Sequence, residues 1–451
     1  MSGLAGLMRQ EGHQISGSEQ EDRKRIKQKP LLEEFQRCGV PIFFGHFSEN
    51  ISPETALVVR SSIIPDDNPE VKRAIEMGIP VIKRAEALGR LMERKQGIAV
   101  AGTAGKTTTT AMLGLILEKS DLDPSIMVGA RFSYLRGRNY RCGRGPFVVE
   151  ADEFDRSFLY LKYESAIVTN LFWGDHLDYY LTEEEMMAAF GEFVAGIPPE
   201  GLLTVCGDDK NALSVTKEAQ GRVITYGFKD ENVARASDVE QGRNETVFNL
   251  VYQGGKVAQV RLRVPGKHNV LNATAAMIAA NNLGVNFPDS AGSLSEYQGG
   301  KRRLEFKGKV NGTIVMDDFA HNARQIEATL EGLRQVFPEN QITAVFQPRQ
   351  FRRTKLLLNE LANCFNLADR VIITDISRGI GDTEAEVASV HARDLLQKMA
   401  EAGISAKYFG DFKEVVDYLS QRSKPGDVVI TLGTGDVHHI GEMLLDTTFA
   451  L

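Results

Sequence analysis

The sequence has little of what stabilises secreted proteins or anchors membrane proteins. Its 451 residues include only four cysteines, and none of them is spaced as CxxC, so neither a disulfide framework nor a zinc site is predicted. No run of about 18 apolar residues could span a membrane, and the N-terminus lacks the charged-then-apolar pattern of a secretion signal. We therefore expect a protein of the reducing cytoplasm without a membrane partner.

An excess of positive charge is also missing. The formal net charge is −7, and the densest basic stretch, RKRIKQK at 23–29, lies in a segment of mixed character that is best explained as solvated surface. We expect no nucleic-acid partner. Repeats of about 20–50 residues are absent too. With 42% hydrophobic and 25% charged residues, the composition is that of a large globular enzyme of roughly two to four domains.

What the sequence does contain is an alternation of apolar strands and helical patterns in three blocks. We predict α/β domains at 1–95, 96–307 and 308–451. The second block includes a turn-rich insert near 228–262 that we interpret as a pair of hairpins. Strands outside the second block are predicted at VPIFFG (40–45), ALVVRSS (56–62), IPVIK (79–83), GTIVMDD, QITAVFQP, RVIITDIS, AKYFG and DVVITLGTGD.

The most informative stretch is GIAVAGTAGKTTTT at 97–110. Its apolar start predicts a buried strand, its glycines permit a tight turn, and the residues that follow favour a helix. Such a turn directs backbone N–H groups and a positive helix end at phosphates. Lys106 would supply a charge for the outer phosphates and Thr107 a hydroxyl for Mg²⁺. Val100 stands where the usual P-loop has glycine, so we interpret the loop as a shortened GxxGKTTT; a simple turn is the alternative.

This interpretation predicts the effect of one substitution. A lysine of such a loop contacts ligand and seldom belongs to a core. We therefore expect Lys106→Ala to abolish ATP turnover while changing the stability of the fold little.

Acidic side chains follow the next predicted strand, in PFVVEADEFD at 146–155. Glu150 is the favoured Mg²⁺ ligand because it ends the strand, and a solvated acidic turn is the alternative for the other three acids. A further strand, in SAIVTNLFWGDHLDYY at 165–180, is followed by Asn170 and by Asp175-His176. His176 could ligate a second Mg²⁺ or orient a substrate, although a lone histidine is more often structural.

Amide and guanidinium groups add candidates for nucleotide contact. The spacing of Asn269 and Asn272 places both on one face of a helix, where their amides could read an adenine edge; N-capping by Asn269 is the alternative. Arg302 and Arg303 precede the third block, and arginines at a domain joint are suited to clamp a transferring phosphoryl group. Three clusters at predicted strand ends of the third block mark ligand positions of open α/β sheets: DDFAHN at 317–322, FQPRQFRRT at 346–354 and GTGD at 433–436.

Together these motifs resemble the Mur ligases of peptidoglycan synthesis over the whole chain, and within them the branch that adds L-alanine to UDP-N-acetylmuramate. The resemblance implies a Rossmann-like N-terminal domain for the UDP-sugar, a central P-loop ATPase-like domain and a Rossmann-like C-terminal domain for the amino acid. It also implies that a carboxylate of the sugar takes the γ-phosphoryl of ATP and that an amine then attacks the acyl phosphate. The matching motifs are SGLAGLMRQEGHQISGSE, SSIIPDDNPEV, GIPVIKRAEALGRLM, GTAGKTTTTAM, EADEFDRSF, TN…DHLDYY, GKHNVLNATAA, KRRLE, DDFAH, FQPRQFRRT and GTGD.

The resemblance implies a role for each matching residue. Lys106 and Arg303 would neutralise the transferring phosphoryl group, while Thr107, Glu150 and His176 would hold Mg²⁺. His321 and Arg353, with Asp318, would position the amino acid or the closed domain; no general base is evident, and His321 is only a candidate. The remaining nucleotide contacts would be Gly102, Thr103, Gly105, Thr108, His268, Asn269, Asn272 and Asp318. No lysine occurs between Lys162 and Lys210, which fits the branch that does without a carbamylated lysine.

Some positions depart from the family pattern. The chain begins inside the family's opening GIGGxG motif, so either its start is truncated or the first domain lacks its first strand. Ala104 and Arg349 replace histidines, DDYGHHPTE reads DDFAHNARQ, and the segment before Asp175 gains a residue and loses a glutamate. Two alternatives therefore stay open beside the L-alanine ligase: a recycling ligase that attaches a tripeptide to the same nucleotide sugar, and a non-catalytic ATP-binding homologue. We expect a monomer or homodimer.

Overall fold

The computed structural model describes residues 1–20, 30–177, 179–242, 245–379 and 381–446, so the basic stretch at 23–29 lies outside the described residues. Along the described chain, two short parallel strand pairs are followed by a ten-stranded sheet and then by a six-stranded sheet. The mixed α/β class predicted from the sequence is confirmed. Among the described helices, none combines the length and the apolar character needed to cross a membrane.

The N-terminal part contains the three strands predicted there and one that was not predicted, β1, and the four form two separate pairs and not one sheet. Strand β1 pairs with β2 and β3 pairs with β4, both in parallel. The strands are β1 (Gly17–Glu19), β2 (Ile42–Phe44), β3 (Val58–Arg60) and β4 (Val81–Lys83), and the helices are α1 (Ser2–Gln10), α2 (Pro30–Arg37), α3 (Pro69–Glu76) and α4 (Arg84–Met92). Helix α1 packs through Leu4 and Leu7 onto Tyr140 of the central sheet, whose ring would meet any side chain at Gly6.

The central sheet places β5 between β8 and β9, all three parallel. Every residue of β5 is buried, which explains its unbroken apolar sequence. The spatial order is β14-β13-β12-β11-β10-β9-β5-β8-β6-β7. The strands are β5 (Gly97–Ala101), β6 (Ser125–Phe132), β7 (Arg138–Arg141), β8 (Phe147–Glu150), β9 (Ser165–Val168), β10 (Leu202–Cys206), β11 (Arg222–Gly227), β12 (Ala234–Gln241), β13 (Thr246–Tyr252) and β14 (Gly255–Leu262).

Helices cover the central sheet and bury its apolar faces. The α-helices are α5 (Lys106–Lys119), α6 (Glu183–Ala195), α7 (Lys210–Ser214), α8 (Lys267–Asn282) and α9 (Phe287–Leu294). Alanines of α8 are buried against the same core as the leucines of α5, so the two helices approach closely. The predicted hairpin pair in the insert is confirmed, since β12, β13 and β14 form an antiparallel meander. Three short 3₁₀ segments are Ser48–Asn50, Phe154–Tyr160 and Val215–Glu218.

The C-terminal sheet has the order β15-β16-β20-β17-β18-β19 and is parallel except for the edge strand β15. All five strands predicted for this block are present. The strands are β15 (Glu305–Val310), β16 (Thr313–Asp318), β17 (Ile342–Phe346), β18 (Arg370–Ile373), β19 (Ala406–Tyr408) and β20 (Val428–Leu432). The helices are α10 (Ala323–Val336), α11 (Phe351–Leu356), α12 (Leu358–Asn363), α13 (Glu384–Val387), α14 (Ala392–Glu401), α15 (Phe412–Arg422) and α16 (His438–Asp446).

The edge strand β15 was not predicted, and the boundary placed between 307 and 308 falls inside it, so this sheet begins at Glu305. Five of its six residues are partly buried or exposed, so the strand lacks the apolar run that marks a buried strand. A signal for it was present, however. Asn311 and Gly312 form the two-residue connection to β16 with φ values of 48° and 81°, and an Asn-Gly pair favours this kind of hairpin turn.

Candidate functional site

Residues 102–107 (GTAGKT), which we name the phosphate loop after its predicted role, lie at the carboxyl end of β5 and require glycine at two positions. Gly102 has φ +130°, and a Cβ there would lie 2.1 Å from Thr169 Oγ1. Gly105, the residue before α5, has φ +86°, and a Cβ there would lie 2.6 Å from Asn272 Oδ1. Both conformations disfavour L side chains and both sites lack the space for one. The sequence prediction of a tight glycine turn between a buried strand and a helix is therefore confirmed.

Residues that follow β9 hold the shape of this loop. The Asn170 side chain accepts a hydrogen bond from Ala104 N at 3.0 Å and donates one to Ala104 O at 2.9 Å. Thr103 N donates to Asn170 O at 2.9 Å. The contacts at Ala104 use its main chain only, so they do not depend on the side chain that the family has at this position. Thr103 is buried, while Thr108 is half-buried in the first turn of α5.

Lys106 forms a buried ion pair with Glu153. Its Nζ lies 2.8 Å from both carboxylate oxygens of Glu153 and 2.6 Å from Gly102 O. The side chains are only 15% and 4% exposed, respectively. Burial opposes the charged form of Lys106, but the Glu153 carboxylate outweighs it and raises the pKa of the lysine. The sequence prediction of a small effect on stability assumed that this lysine lies outside the core, and the structure contradicts that premise: without Lys106, the buried Glu153 carboxylate would lose its nearest cation.

Glu153 is a site residue that sequence reasoning missed. Burial raises its pKa, against the opposing charges of Lys106 and His176. The His176 ring lies 3.9 Å from Glu153 Oε1, so Glu153 is the carboxylate beside both the loop lysine and the strand-end histidine. Four acids in six residues gave no reason to choose it over Asp152 or Asp155, because the pattern does not reveal which of them turns inward.

Thr107, Glu150 and Arg303 come together at the ends of β5 and β8. Glu150 accepts hydrogen bonds from Thr107 Oγ1 at 2.8 Å and from Gly129 N. Arg303 Nη2 donates to Thr107 Oγ1 at 3.0 Å, although the two residues are 196 positions apart. Arg303 Nε is buried and has no hydrogen-bond partner among the described residues. This arrangement offers two oxygen ligands and one unsatisfied donor, which suits a metal-bound phosphate.

Asp175 is the second site residue to which the sequence analysis gave no role. It connects the central and C-terminal domains. Its carboxylate lies 3.0 Å from His321 Nε2 and accepts a hydrogen bond from Arg353 Nη1 at 3.0 Å. Burial would raise the pKa of Asp175, but His321, His176 and Arg353 outweigh it and hold the pKa well below its usual range.

Through these two contacts Asp175 links the central domain to the C-terminal domain. His321 Nδ1 lies 3.0 Å from Phe319 O, so both ring nitrogens of His321 face protein oxygens. This leaves no ring nitrogen directed at a substrate amine, and the placement gives no support to His321 as the general base.

The paired arginines before β15 both lie over the ring of Phe319 in the C-terminal domain. Arg302 Nε donates to Asp317 at 2.9 Å, and its terminal nitrogens donate to the carbonyls of Gly433 and Thr434 in the GTGD segment. The Arg302 and Arg303 guanidinium groups lie 5.2 and 4.9 Å from the centre of the Phe319 ring. Arg302 therefore anchors the domain joint, which leaves Arg303 directed towards the phosphate loop.

Asp318 lies at the end of β16 and holds the chain that follows Arg303. Its carboxylate accepts hydrogen bonds from Leu304 N at 2.6 Å and Ala320 N at 2.7 Å. Burial raises the pKa of Asp318, and the charge of Arg303 opposes this shift. These contacts position the backbone on both sides of Asp318; its contact with a nucleotide stays a prediction.

The two asparagines of α8 share a face, as the spacing predicted. Asn272 Nδ2 donates to Asn269 Oδ1 at 3.3 Å, and Thr109 Oγ1 of α5 donates to Asn272 Oδ1 at 3.2 Å. The N-capping alternative for Asn269 is wrong, because the N-cap is Gly266 and the Asn269 amide donates to Pro265 O at 2.6 Å. Both side chains are buried beside the phosphate loop, and adenine recognition by them stays a prediction.

His268 gives this region a pH dependence that can be measured. Burial lowers its pKa from the ordinary value of 6.5 to about 4. Between these values the unfolded chain binds the proton and the folded chain does not, so the free energy of unfolding falls as the pH is lowered. We expect a loss of at most about 3 kcal/mol from this group between pH 7 and pH 4. Urea unfolding of wild type and His268→Gln across this range tests it; parallel pH curves for the two proteins would contradict it.

Three Mur ligase domain models match successive parts of the chain. Residues 1–96 match the Mur ligase family catalytic domain, residues 100–280 the Mur ligase middle domain, and residues 302–435 the Mur ligase glutamate ligase domain. The chain is 38% identical over 447 residues to the UDP-N-acetylmuramate–L-alanine ligase of Carboxydothermus hydrogenoformans, with 99% of this chain and 94% of that protein covered.

Two solved structures share the fold over nearly the whole chain. The UDP-N-acetylmuramate–alanine ligase of Thermotoga maritima superposes with a TM-score of 0.82 at 25% identity, covering 100% of this chain and 96% of that one. A murein peptide ligase from Psychrobacter arcticus gives a TM-score of 0.71 at 24% identity, covering 99% and 96%. The second likeness concerns the fold alone.

Proposed function

The chain belongs to the Mur ligase family, and we propose that it joins L-alanine to UDP-N-acetylmuramate in an ATP-dependent reaction with an acyl-phosphate intermediate. The observation that carries the proposal is the convergence of Thr107, Glu150 and Arg303 on one point beside the phosphate loop, in a chain 38% identical to an L-alanine ligase along its length. A cytoplasmic location and a monomeric or homodimeric state are part of the proposal.

The reaction proceeds in two transfers. A carboxylate oxygen of the sugar attacks the γ-phosphorus of ATP, and ADP leaves. The amine nitrogen then attacks the acyl carbon, inorganic phosphate leaves, and the nitrogen loses a proton to give the amide. The protein lowers the barrier mainly by positioning the reactants and by placing positive charge against the phosphoryl oxygens.

Lys106 and Arg303 supply that charge. Lys106 binds Glu153 and would turn from that carboxylate to a phosphate oxygen when ATP binds, whereas Arg303, whose Nη2 binds Thr107, has an Nε that is free of partners in the described part of the chain and can donate to phosphate. Thr107 and Glu150 would hold Mg²⁺, since their oxygens match its preference and lie 2.8 Å apart. When bound, Mg²⁺ would neutralise charge on the β- and γ-phosphates. His176 beside Glu153 would serve a second ion near the acyl group.

We expect ADP release to require both UDP-N-acetylmuramate and an amine, with L-alanine preferred over glycine, L-serine and a tripeptide. Hydroxylamine should trap a hydroxamate from the sugar and ATP alone, because the acyl phosphate forms before the amine is needed. A coupled ADP assay and mass detection of the hydroxamate measure the two steps separately. Since one methylene in an apolar pocket is worth about 1–3 kcal/mol, the preference for L-alanine is the more easily altered of the two expectations.

The outcomes separate the alternatives. Turnover with the tripeptide and none with L-alanine would assign the chain to the recycling type, for which Arg349 in the FQPR sequence is the favourable feature. ATP binding without turnover of any amine would instead identify a non-catalytic homologue. Hydroxamate formation in the absence of ATP would contradict the acyl-phosphate mechanism.

A further inference from the structure

Residues 171–177, which we name the seam loop, touch the phosphate loop through Phe172 and the C-terminal domain through Phe172, Asp175 and Leu177. Phe172 is joined to the phosphate loop by two hydrogen bonds: Thr103 Oγ1 donates to Phe172 O at 3.2 Å, and Phe172 N donates to Thr103 Oγ1 at 3.1 Å. A hydroxyl that both donates and accepts fixes the Phe172 backbone relative to Thr103. Any shift of Thr103 on phosphate binding is therefore passed to Phe172.

The ring of the same residue is held by the other domain. The Arg324 guanidinium, in the first turn of α10, lies 4.7 Å from the centre of the Phe172 ring, within the range of a cation–π contact. Phe172 is only 7% exposed, whereas Arg324 lies at the surface. Phe172 thus contacts the phosphate loop through its backbone and the C-terminal domain through its side chain.

The rest of the seam loop enters the C-terminal domain. Leu177 is 2% exposed and packs within the core that includes Ile326 and Leu361. Trp173 packs against the apolar cores of both domains, and its Nε1 donates to Tyr180 O at 3.2 Å. The loop is therefore part of both units, and it occupies the segment where this chain gains a residue relative to the family pattern.

We propose that Phe172 and Arg324 are positioning residues that couple nucleotide binding in the phosphate loop to docking of the C-terminal domain. The proposal rests on the proposed function, because it assigns ATP to the phosphate loop and the amine to the C-terminal domain. Since coupling between two sites is reciprocal, nucleotide should tighten the binding of the amine, and the amine should tighten that of nucleotide by the same factor.

Trp173 makes the coupling measurable, because it is the only tryptophan in the chain and lies at the contact between the domains. The experiment titrates Mg²⁺ and AMP-PNP, a non-hydrolysable ATP analogue, while Trp173 emission is recorded. Saturating UDP-N-acetylmuramate is present throughout, the titration is repeated with saturating L-alanine, and the ratio of the two nucleotide Kd values is the coupling factor. We expect a change in emission on nucleotide binding, and its loss in Trp173→Phe.

Arg324→Ala is the decisive variant, since an exposed side chain can be removed without disturbing the core. We expect its coupling factor to fall by about three- to fivefold, with Arg324→Lys recovering most of the loss because a cation remains over the ring. Glu331→Ala, at another exposed position of α10, is the matched control and should keep the wild-type factor. A purely structural role of Arg324 would change thermal stability but not this ratio.

Two failures are distinguishable. If equilibrium dialysis shows that AMP-PNP does not bind at all, the assignment of ATP to the phosphate loop is overturned, and the proposed function with it. If AMP-PNP binds but the coupling factor of Arg324→Ala equals that of wild type, the proposed function stands and the role of the Phe172–Arg324 contact is overturned.

Discussion

Lys106→Ala is expected to lower the rate of ATP-dependent phosphate release by at least about 10³-fold, because it removes a cation from the transferring phosphoryl group. The same substitution should also destabilise the protein, by roughly 3–5 kcal/mol, because it leaves the Glu153 carboxylate buried without its cation. Steady-state phosphate release and urea unfolding measure the two effects on one preparation. Loss of activity without loss of stability would contradict the buried ion pair seen in the structure.

A double substitution separates the two effects of Lys106. In Lys106→Ala/Glu153→Gln the buried carboxylate is replaced by a neutral amide. We therefore expect most of the stability to return while activity stays lost. Glu153→Gln alone keeps Lys106 and should retain measurable turnover. If the double variant recovered activity along with stability, Lys106 would act on the fold and not on the phosphoryl group, and the nucleotide site would have to lie elsewhere.

The phosphate loop was predictable because its signal is local. A buried strand, two glycines and a helix start follow one another within fifteen residues, and each has its own pattern in the sequence. The same holds for the strands of the C-terminal sheet other than β15, most of which are short apolar runs bounded by polar turns. Glu150 could be selected for the same reason, since it ends such a run.

Pairings between distant residues could not be predicted in the same way. Asp175 meets His321 and Arg353 across 146 and 178 positions, and neither periodicity nor composition carries information about such contacts. The motifs placed His321 and Arg353 near the amino acid or the domain contact, and the structure shows them at the contact. Glu153 was missed for a related reason: its burial depends on Lys106 and Tyr180, which lie on other elements.

Glu150 combines a local signal that the sequence carries with contacts to distant residues that only the structure shows. The sequence indicates that it ends β8, but only the structure shows that its two oxygens are already occupied, one by the Thr107 hydroxyl and one by Gly129 N. The Gly129 contact fixes the carboxylate, and a Cβ at Gly129 would lie 2.8 Å from Glu150 Oε2, so a larger residue there would displace it. The Glu150 carboxylate is thus held in place by protein contacts, and if it is the Mg²⁺ ligand that we propose, this lowers the cost of ordering it on binding.

Glu150→Ala is therefore expected to reduce kcat by about 10²–10³-fold, and Glu150→Gln nearly as much. The amide retains an oxygen for Gly129 N but lacks the charge that Mg²⁺ requires. The Mg²⁺ concentration for half-maximal activity should rise in Glu150→Gln, and EDTA should abolish activity in every variant. Asp152→Asn is the matched control, because Asp152 is an exposed acid two residues away whose contact with Phe154 N an amide can keep. Equal Mg²⁺ dependence in Glu150→Gln and wild type, or full activity in EDTA, would show that Glu150 is not a metal ligand. Glu150 would then serve only to orient Thr107.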